Sequence, residues 1–278
     1  MMKTKSGHPL NPIGVGTWGM GGDRFEDGSL YADYRHDDRE IAAIGYSISK
    51  GQNHVDTAQL YGSGHTEEIV GNAIKGVERE SIYIATKVWR SHSLRHAVPK
   101  MAEESIEKLG SVYIDLLYVH APWDSIEMSE YIGGLNDVVD SGLALTIGVS
   151  NFTTSQLEAA CRMSKHPIVA NQIHYSLLER KSIADGMLEF CRREGITVVA
   201  YRPVERKLLA DQTKSEELRS LSQRLGHTPA QVAIAWLLCQ EGVITIPKAS
   251  DHDHIDENLG ALDVSLSSEE MESLNSIG

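Results

Sequence analysis

The segment IDLLYVHAPWDSIEMSEYIGGLNDVVDSGLALTIGVSN, residues 114–151, contains two short apolar runs separated by a longer amphipathic stretch. The runs Ile114–Val119 and Leu145–Val149 are predicted to be strands, and Ser125–Asp140 is predicted to be a helix that ends near Gly142. A strand, a helix and a second strand in this order are typical of two parallel strands joined by a crossover helix. This part of the chain is therefore predicted to be a parallel sheet covered by helices.

The same alternation continues in both directions along the chain. Eight strands are predicted, at Ile13–Thr17, Asn53–Val55, Ile82–Ala85, Ile114–Val119, Leu145–Val149, Val169–Gln172, Thr197–Ala200 and Val243–Ile246. Amphipathic helices are predicted at Asp38–Lys50, Thr66–Lys75, Ser93–Leu109, Ser125–Asp140, Ser155–Met163, Ile183–Glu194 and Pro229–Gln240, with an additional helix at Lys214–Leu225. Because no linker interrupts the alternation, the fold class predicted is α/β, a (β/α)8 TIM barrel formed by residues 1–278 as a single domain with extra peripheral helices.

Composition and charge exclude several classes of protein. The 278 residues include 26 Lys and Arg against 39 Asp and Glu, a net charge of −13, which disfavours a nucleic-acid partner. Cys161, Cys191 and Cys239 are widely spaced, so neither a disulfide framework nor a metal-binding cysteine pair is indicated. The longest apolar run, Val232–Cys239, is much shorter than the ~20 residues that span a bilayer. We expect a cytoplasmic protein with no membrane partner, either a monomer or a weak homo-oligomer.

Polar or aromatic residues, and one proline, end or directly follow nearly every predicted strand. They are Trp18, Asp56, Lys87, His120, Ser150, Asn151, Gln172, Tyr201, Pro247 and Lys248. Any one of them alone could be a turn residue, a helix cap or a solvated charge. Their spacing of roughly thirty residues matches the repeat of a barrel, whose carboxyl strand ends converge on one mouth. Together they predict one shared site.

A glycine pattern near the start of the chain offers a competing interpretation. Gly14, Gly16 and Gly19 match the GxGxxG fingerprint of dinucleotide-binding Rossmann folds. That fold requires a helix to open in the glycine turn, but helical periodicity resumes only near Asp38. The Rossmann interpretation is therefore disfavoured.

The sequence DTAQLYG at residues 56–62 resembles a motif of the aldo-keto reductase family. Other segments are similar to motifs of that family in the same order: GVGTW at 14–18, Thr86-Lys87, His120-Ala121-Pro122, GVSN at 148–151, Asn171-Gln172, Ala200-Tyr201, and Ile246-Pro247-Lys248 followed by Glu257-Asn258. The resemblance implies an NADPH-dependent oxidoreductase that reduces an aldehyde or ketone to an alcohol. Its partner would be a small carbonyl compound.

By this resemblance the catalytic residues are Tyr61, Asp56, Lys87 and His120. A tyrosine phenol has an unperturbed pKa of ~10 and is a weak acid near neutral pH, but a nearby ammonium group lowers that pKa. Lys87 is the available cation, Asp56 would keep it charged and oriented, and His120 would orient the carbonyl or assist proton transfer. Tyr61 is then the expected general acid.

The resemblance also implies residues that bind the cofactor and the substrate. The cofactor residues are Thr17, Trp18, Asp56, Ser150, Asn151, Gln172, Tyr201, Arg202, Pro203, Ile246, Lys248, Ser250, His254, Glu257 and Asn258. The substrate residues are Trp18, Tyr61, Trp89, His120 and Trp123. A helix beginning at Asp251 would also present free backbone N–H groups to an anion.

Two of these positions depart from the family pattern. His254 stands where arginine is common, and because histidine is mostly neutral at pH 7, NADH is a possible weaker alternative to NADPH. Arg202 stands where a small serine is frequent. With Arg206 and Lys207 it could meet a pyrophosphate, or all three could be solvated loop charges.

Three other functions remain open. A class I aldolase would use Lys87 or Lys248 to form a Schiff base, although Asp56 should keep Lys87 protonated. A non-catalytic nicotinamide sensor would resemble the cytoplasmic subunits of potassium channels, which keep the cofactor site. A metal hydrolase with its site at residues 251–254 is disfavoured, because an aspartate is expected there as a helix cap.

Overall fold

Eight parallel strands form the central sheet. The computed structural model describes residues 2–22, 25–26, 29–89, 94–123, 125–204 and 212–277. The eight strands are β1 (Val15–Gly16), β4 (His54–Asp56), β5 (Tyr83–Val88), β6 (Ile114–Val119), β7 (Ala144–Ser150), β8 (Ile168–His174), β9 (Thr197–Tyr201) and β10 (Val243–Thr245), paired in that order. A separate antiparallel hairpin consists of β2 (Phe25–Glu26) and β3 (Ser29–Leu30). The predicted fold class is confirmed.

The first and last strands meet, so the sheet closes into a barrel. Ile13 forms a parallel bridge with Thr245, and the amide of Gly14 donates to the Thr245 carbonyl at 2.7 Å. The amide of Gly16 donates to the carbonyl of Pro247 at 3.1 Å, and a Cβ atom at Gly16 would overlap the carbonyl oxygen of Ile246. The glycines that imitate a dinucleotide fingerprint therefore allow two strands to approach closely, and no helix opens in this turn.

Helices surround the barrel and follow its strands. They are α1 (Asp37–Ser49), α2 (His65–Ala73), α3 (Val98–Leu109), α4 (Met128–Asp140), α5 (Thr154–Met163), α6 (Met187–Glu194), α7 (Gln212–Leu225), α8 (Pro229–Leu238), α9 (His252–Leu259) and α10 (Ser268–Ile277). Capping boxes at Thr153 and Thr228 start α5 and α8. Helix α6 begins four residues later than predicted, because Gly186 before it has a left-handed φ of 83°. Helix α10 and the β2–β3 hairpin were not predicted.

The core has two layers. Inside the barrel lies a cluster made of Leu10, Tyr83, Ala85, Leu116, Tyr118, Ala170, Val199 and Ile246. A second and larger cluster lies between the strands and the helices. All residues of β5 and β6 are buried, as expected for parallel strands covered on both faces. The barrel is therefore a packed scaffold.

Two further predictions from the sequence concern a membrane span and residues near Ser93 and Arg206. In the described part of the chain, no helix has the length and apolar character that crossing a bilayer requires. Arg206, Lys207 and the predicted helix start at Ser93 lie outside the described residues.

Candidate active site

A cavity of about 260 Å³ opens at the carboxyl ends of the barrel strands. Its lining consists of Gly16, Thr17, Trp18, Asp56, Tyr61, His120, Ser150, Asn151, Gln172, Tyr201, Arg202, Ile246 and Lys248. All of these except Gly16 were singled out from the sequence as site residues. The convergence of parallel strand ends explains why residues far apart in sequence share one cavity.

A buried ion pair forms the floor of the cavity. The ammonium group of Lys87 donates to Asp56 Oδ1 at 2.5 Å, to the carbonyl of Thr57 at 2.8 Å and to the hydroxyl of Tyr61 at 3.3 Å. Asp56 and Lys87 are 1% and 0% exposed. All three ammonium protons thus have acceptors, which compensates for much of the cost of removing the charge from water. Thr57, which contributes only its carbonyl group, was not anticipated from the sequence.

The protonation states of Tyr61 and Lys87 suit a proton donor. Burial raises the pKa of Tyr61, while the charge of Lys87 acts in the opposite direction. Burial alone would lower the pKa of Lys87, but Asp56 and Tyr61 outweigh it, so the pKa of Lys87 is raised. The pair therefore holds a neutral phenol beside a charged ammonium group.

The backbone after Tyr61 turns sharply. Gly62, Ser63 and Gly64 all have positive φ values, of 52°, 55° and 93°. A Cβ atom at Gly62 would overlap the carbonyl oxygen of Gly21, and the hydroxyl of Ser63 donates to the carbonyl of Leu30. The left-handed conformation of Ser63 is unfavourable for a residue with a side chain, and contacts with the first loop maintain it. This turn fixes the direction in which the Tyr61 side chain leaves the backbone.

His120 faces Tyr61 across the cavity. Its ring centre lies 5.7 Å from that of Tyr61 and 5.1 Å from that of Trp89. Burial, with a smaller contribution from the charge of Lys87, lowers the pKa of His120 to about 3. The imidazole is therefore neutral near pH 7, and can donate a hydrogen bond from only one of its two nitrogens.

Amide and hydroxyl groups form part of the cavity lining. Gln172 Nε2 donates to Asp56 Oδ2 at 2.7 Å, and the hydroxyl of Ser150 donates to the carbonyl of Gln172 at 3.0 Å. The hydroxyl of Tyr201 donates to Asn151 Oδ1 at 2.8 Å, and the amide of Asn151 donates to the carbonyl of His120 at 3.0 Å. This network links the amide groups to the buried ion pair. It offers both donors and acceptors, which is what a carboxamide requires.

An aromatic ring and two cations lie further along the cavity. The ring of Tyr201 stacks on His174 with an interplanar angle of 11° and a centroid distance of 5.2 Å, and Tyr201 also lines the cavity. Arg202 and Lys248 are exposed cations on the lining, and Arg202 has a positive φ of 52°. Pro203, the next residue after Arg202, is buried and does not line the cavity. A flat ring followed by cations fits a ligand that has an aromatic end and a phosphate-bearing end.

The remaining residues assigned to the cofactor do not line the cavity. Ser250, His254, Glu257 and Asn258 lie on or just before α9. Asp251 accepts the backbone amide of His254 at 3.0 Å and lies 2.8 Å from His254 Nδ1. From the sequence we expected free backbone N–H groups at the start of this helix. One of them, the amide of His254, already donates to the carboxylate of Asp251.

The three tryptophans assigned to the substrate have different environments. Trp18 is 42% exposed and lies edge-on to Tyr61 with a centroid distance of 4.9 Å. Trp89 packs against His120, behind the cavity lining. Trp123 is buried in the hydrophobic core, where it packs on Tyr131 at 5.5 Å. The structure thus places Trp18 at the cavity, Trp89 next to it, and Trp123 away from its lining.

The fold and this site together define an enzyme of the (β/α)8 class, with an aspartate, lysine, tyrosine and histidine cluster at its mouth. The model of the Aldo/keto reductase family matches residues 12–278. The chain belongs to the aldo/keto reductase family and is an oxidoreductase.

Individual relatives support this assignment. The thermostable aldo-keto reductase Tm1743, solved with the inhibitor epalrestat, is 38% identical, with a TM-score of 0.92 and coverage of 100% of this chain and 99% of that chain. An aldo-keto reductase from Klebsiella pneumoniae in complex with NADPH is 29% identical, with a TM-score of 0.85 and coverage of 100% and 95%. The methylglyoxal reductase YeaE of Escherichia coli (strain K12) is 29% identical over 96% of this chain and 90% of that protein.

Proposed function

We propose that this protein is an NADPH-dependent reductase of small aldehydes and ketones, in which Tyr61 is the general acid. The observation that carries the proposal is the contact of Lys87 Nζ with both Asp56 and the Tyr61 hydroxyl in a fully buried site. A neutral phenol next to a protonated lysine can give up a proton when negative charge develops nearby.

The residues of the chain have separable tasks in this mechanism. NADPH, when bound, supplies a hydride to the carbonyl carbon. Tyr61 donates its proton to the carbonyl oxygen as that oxygen gains charge, and Lys87 stabilises the phenolate that remains. Neutral His120 directs the carbonyl oxygen towards Tyr61, while Asp56 keeps Lys87 protonated.

The donor set supports a nicotinamide cofactor. Ser150, Asn151 and Gln172 would bind the carboxamide, and the Tyr201 ring would stack on the nicotinamide. Arg202 and Lys248 would meet the phosphates. Thr17, Trp18 and Ile246 complete the wall of the cavity. The Klebsiella relative, which binds NADPH, supports the choice of cofactor.

A small dicarbonyl compound is the substrate that we propose for the first test. The Escherichia coli relative is a methylglyoxal reductase, and the cavity is small, with an exposed Trp18 at its mouth. A short carbonyl compound would bind beside Tyr61 and His120, which both line the cavity.

The geometry speaks against a Schiff-base aldolase that uses Lys87. Such a lysine must lose its proton to attack a carbonyl carbon. Lys87 instead donates to three acceptors, and its pKa is raised. A nucleophilic role for this amine would require breaking the buried ion pair.

The first experiment is a titration of the purified protein with NADPH and, separately, with NADH, followed by tryptophan fluorescence. Trp18 lies 4.9 Å from Tyr61, so we expect a nicotinamide bound near Tyr61 to quench its emission saturably, with tighter binding of NADPH. Trp18→Phe is the matched control and should lose most of the quenching.

Turnover is then measured with methylglyoxal, as loss of NADPH absorbance. We expect saturable reduction of the aldehyde. Tight NADPH binding without turnover of any aldehyde would favour the sensor, and absence of binding by either nucleotide would overturn the proposed function.

A further inference from the structure

A fully buried carboxyl group lies behind the ion pair, on the helix side of strand β5. Glu67, on α2, is 0% exposed, and its Oε1 accepts a hydrogen bond from the Thr86 hydroxyl at 2.7 Å. Its other oxygen, Oε2, is buried without a hydrogen-bond partner in the described part of the chain. Burying a polar atom without a hydrogen-bond partner costs free energy of folding, so the presence of Glu67 at this position calls for an explanation.

The positions of Glu67 and Thr86 connect them to the reacting side chains. Thr86 directly precedes Lys87 on β5, and successive side chains of a strand point to opposite faces. Lys87 therefore points into the barrel and Thr86 points out towards α2. Glu67 lies in the first turns of α2, the helix that begins just after the turn following Tyr61.

These contacts close a ring through the structure. The chain runs from Tyr61 through the turn at Gly62–Gly64 to Glu67, then crosses by a hydrogen bond to Thr86 and continues to Lys87. The contact of Lys87 Nζ with the Tyr61 hydroxyl completes the ring at 3.3 Å, the longest of the three contacts of this ammonium group. A contact of that length is set by the surrounding framework more than by its own strength.

We propose that Glu67 is a positioning residue of the active site: through Thr86 it holds the strand of Lys87 against the helix that follows Tyr61, and so maintains the contact between ammonium group and phenol. This inference rests on the proposed function, in which Tyr61 is the proton donor. Glu67 acts only through its neighbours.

The proposed role of Glu67 does not depend on the charge of its carboxyl group. Burial raises the pKa of Glu67, whereas the hydrogen bond from Thr86, the nearby hydroxyl of Ser105 and the charges of Lys108 and Lys87 act against that rise. A protonated carboxyl group still accepts the hydrogen bond of Thr86 through its carbonyl oxygen. The proposal therefore requires the hydrogen bond and not a negative charge.

The test compares variants that keep this hydrogen bond with variants that lose it. Glu67→Gln and Thr86→Ser keep an acceptor and a donor, and we expect their kcat to stay within about threefold of the unmodified protein. Thr86→Val and Glu67→Leu lose the bond, and we expect about a tenfold lower kcat with an unchanged KM for NADPH. Because Thr86→Val changes shape least, it carries the test if Glu67→Leu does not fold.

The pH profile separates positioning from general stability. With Lys87 further from Tyr61, the pKa of the phenol rises, so the alkaline limb of kcat should move to higher pH in Thr86→Val. Asp115→Asn is the matched control: Asp115 is also buried and also contacts β5, through the amide of Ile84, and the variant weakens its ion pair with Arg79. It should leave the alkaline limb in place.

Three outcomes would overturn the inference. The first is an alkaline limb of kcat that does not move in Thr86→Val. The second is a fall in kcat in Asp115→Asn as large as the fall in Thr86→Val. The third is a kcat of Glu67→Gln as low as that of Glu67→Leu. If the unmodified protein reduces no carbonyl compound, the proposed function fails. The inference is then still decided by ¹³C NMR of labelled tyrosine, with Tyr61 assigned from Tyr61→Phe: the phenol of Tyr61 should titrate at higher pH in Thr86→Val.

Discussion

Two lysines lie near the carboxyl ends of strands of the same barrel, and their environments are opposite. Lys87 is fully buried, with all three of its protons donated to Asp56, Thr57 and Tyr61. Lys248 follows β10 and is exposed at the other end of the cavity lining. A histidine assigned to the same task as each lysine has a similar environment. His120, a proposed catalytic residue like Lys87, is kept neutral by burial. His254, a proposed cofactor residue like Lys248, lies on the surface beside Asp251.

The difference between the two lysines shows which function requires a site shielded from water. Moving a proton at Tyr61 requires charges whose positions and protonation states do not relax, and burial provides this at the expense of desolvation. Holding a phosphate requires only accessible cations, whose attraction is weakened by water and salt. We expect substitutions at the buried end to change rate and stability, and those at the exposed end to change affinity and its salt dependence.

The largest expected effect is on turnover, in Tyr61→Phe. Phenylalanine has no proton to donate, so kcat should fall by about 10²- to 10⁴-fold, the range that a positioned general acid contributes. The affinity for NADPH, measured by tryptophan fluorescence, should remain within about twofold. A variant that keeps near-normal kcat would exclude Tyr61 as the acid.

The two lysines can be compared directly with Lys87→Met and Lys248→Met. Removing Lys87 leaves Asp56 buried and unpaired by charge, so the free energy of unfolding should fall by about 3–5 kcal/mol. Lys248 is exposed, and its replacement should change stability by less than about 0.5 kcal/mol. Urea denaturation measures both, and equal effects in the two variants would contradict the comparison.

Most of the fold was predictable because parallel strands buried on both faces leave continuous apolar runs. The segments that escaped prediction depend on tertiary contacts. Helix α10 buries only Leu274 and Ile277, so its apolar face is narrow, and it is held in part by a hydrogen bond from Trp236 to Asn275. The start of α6 depended on the backbone conformation of Gly186.

The cavity residues were predictable for a related reason, since strand ends must converge in a barrel. The direction of a side chain beyond the strand end was not predictable. Trp123 follows β6 as closely as other assigned residues follow their strands, yet its ring turns into the core. Glu67 was missed because it sits on a helix and reaches the site only through Thr86, a link that requires three-dimensional packing to be visible.

The third prediction concerns the buried histidine His54 and the stability of the protein at acidic pH. His54 is fully buried, and burial lowers its pKa to about 4. Between pH 6.5 and about 4 the unfolded chain therefore binds a proton at His54 that the folded protein does not, and stability decreases as pH falls, by up to about 3 kcal/mol.

The measurement is urea denaturation of the unmodified protein and of His54→Leu at pH 8 and pH 5. The difference between the two proteins at pH 8 reports packing alone, because His54 is neutral in both states there. We expect the variant to lose less stability between pH 8 and pH 5. An equal loss in both proteins would mean that His54 titrates normally.

The smallest expected effect lies at the exposed end, in His254→Arg. The amide of His254, followed by its imidazole, lowers the pKa of Asp251, so this carboxylate remains an anion close to the proposed phosphate site. An arginine at position 254 would keep its charge at every accessible pH and offer a planar fork to a 2′-phosphate. We expect about tenfold tighter binding of NADPH, equivalent to about 1.4 kcal/mol, with NADH unchanged.

The matched control is His252→Arg, because His252 lies in the same helix turn but stacks on Tyr46, with a centroid distance of 3.8 Å. It adds the same charge without facing the proposed phosphate, so it should tighten NADPH and NADH binding equally and slightly. The gain in His254→Arg should shrink as salt is raised, since exposed charges are screened within about 10 Å at 0.1 M salt. If the gain in affinity of His254→Arg does not depend on salt, or if NADH shares it, the 2′-phosphate binds elsewhere. Lys248 and His254 would then not be the exposed phosphate-binding residues that contrast with Lys87.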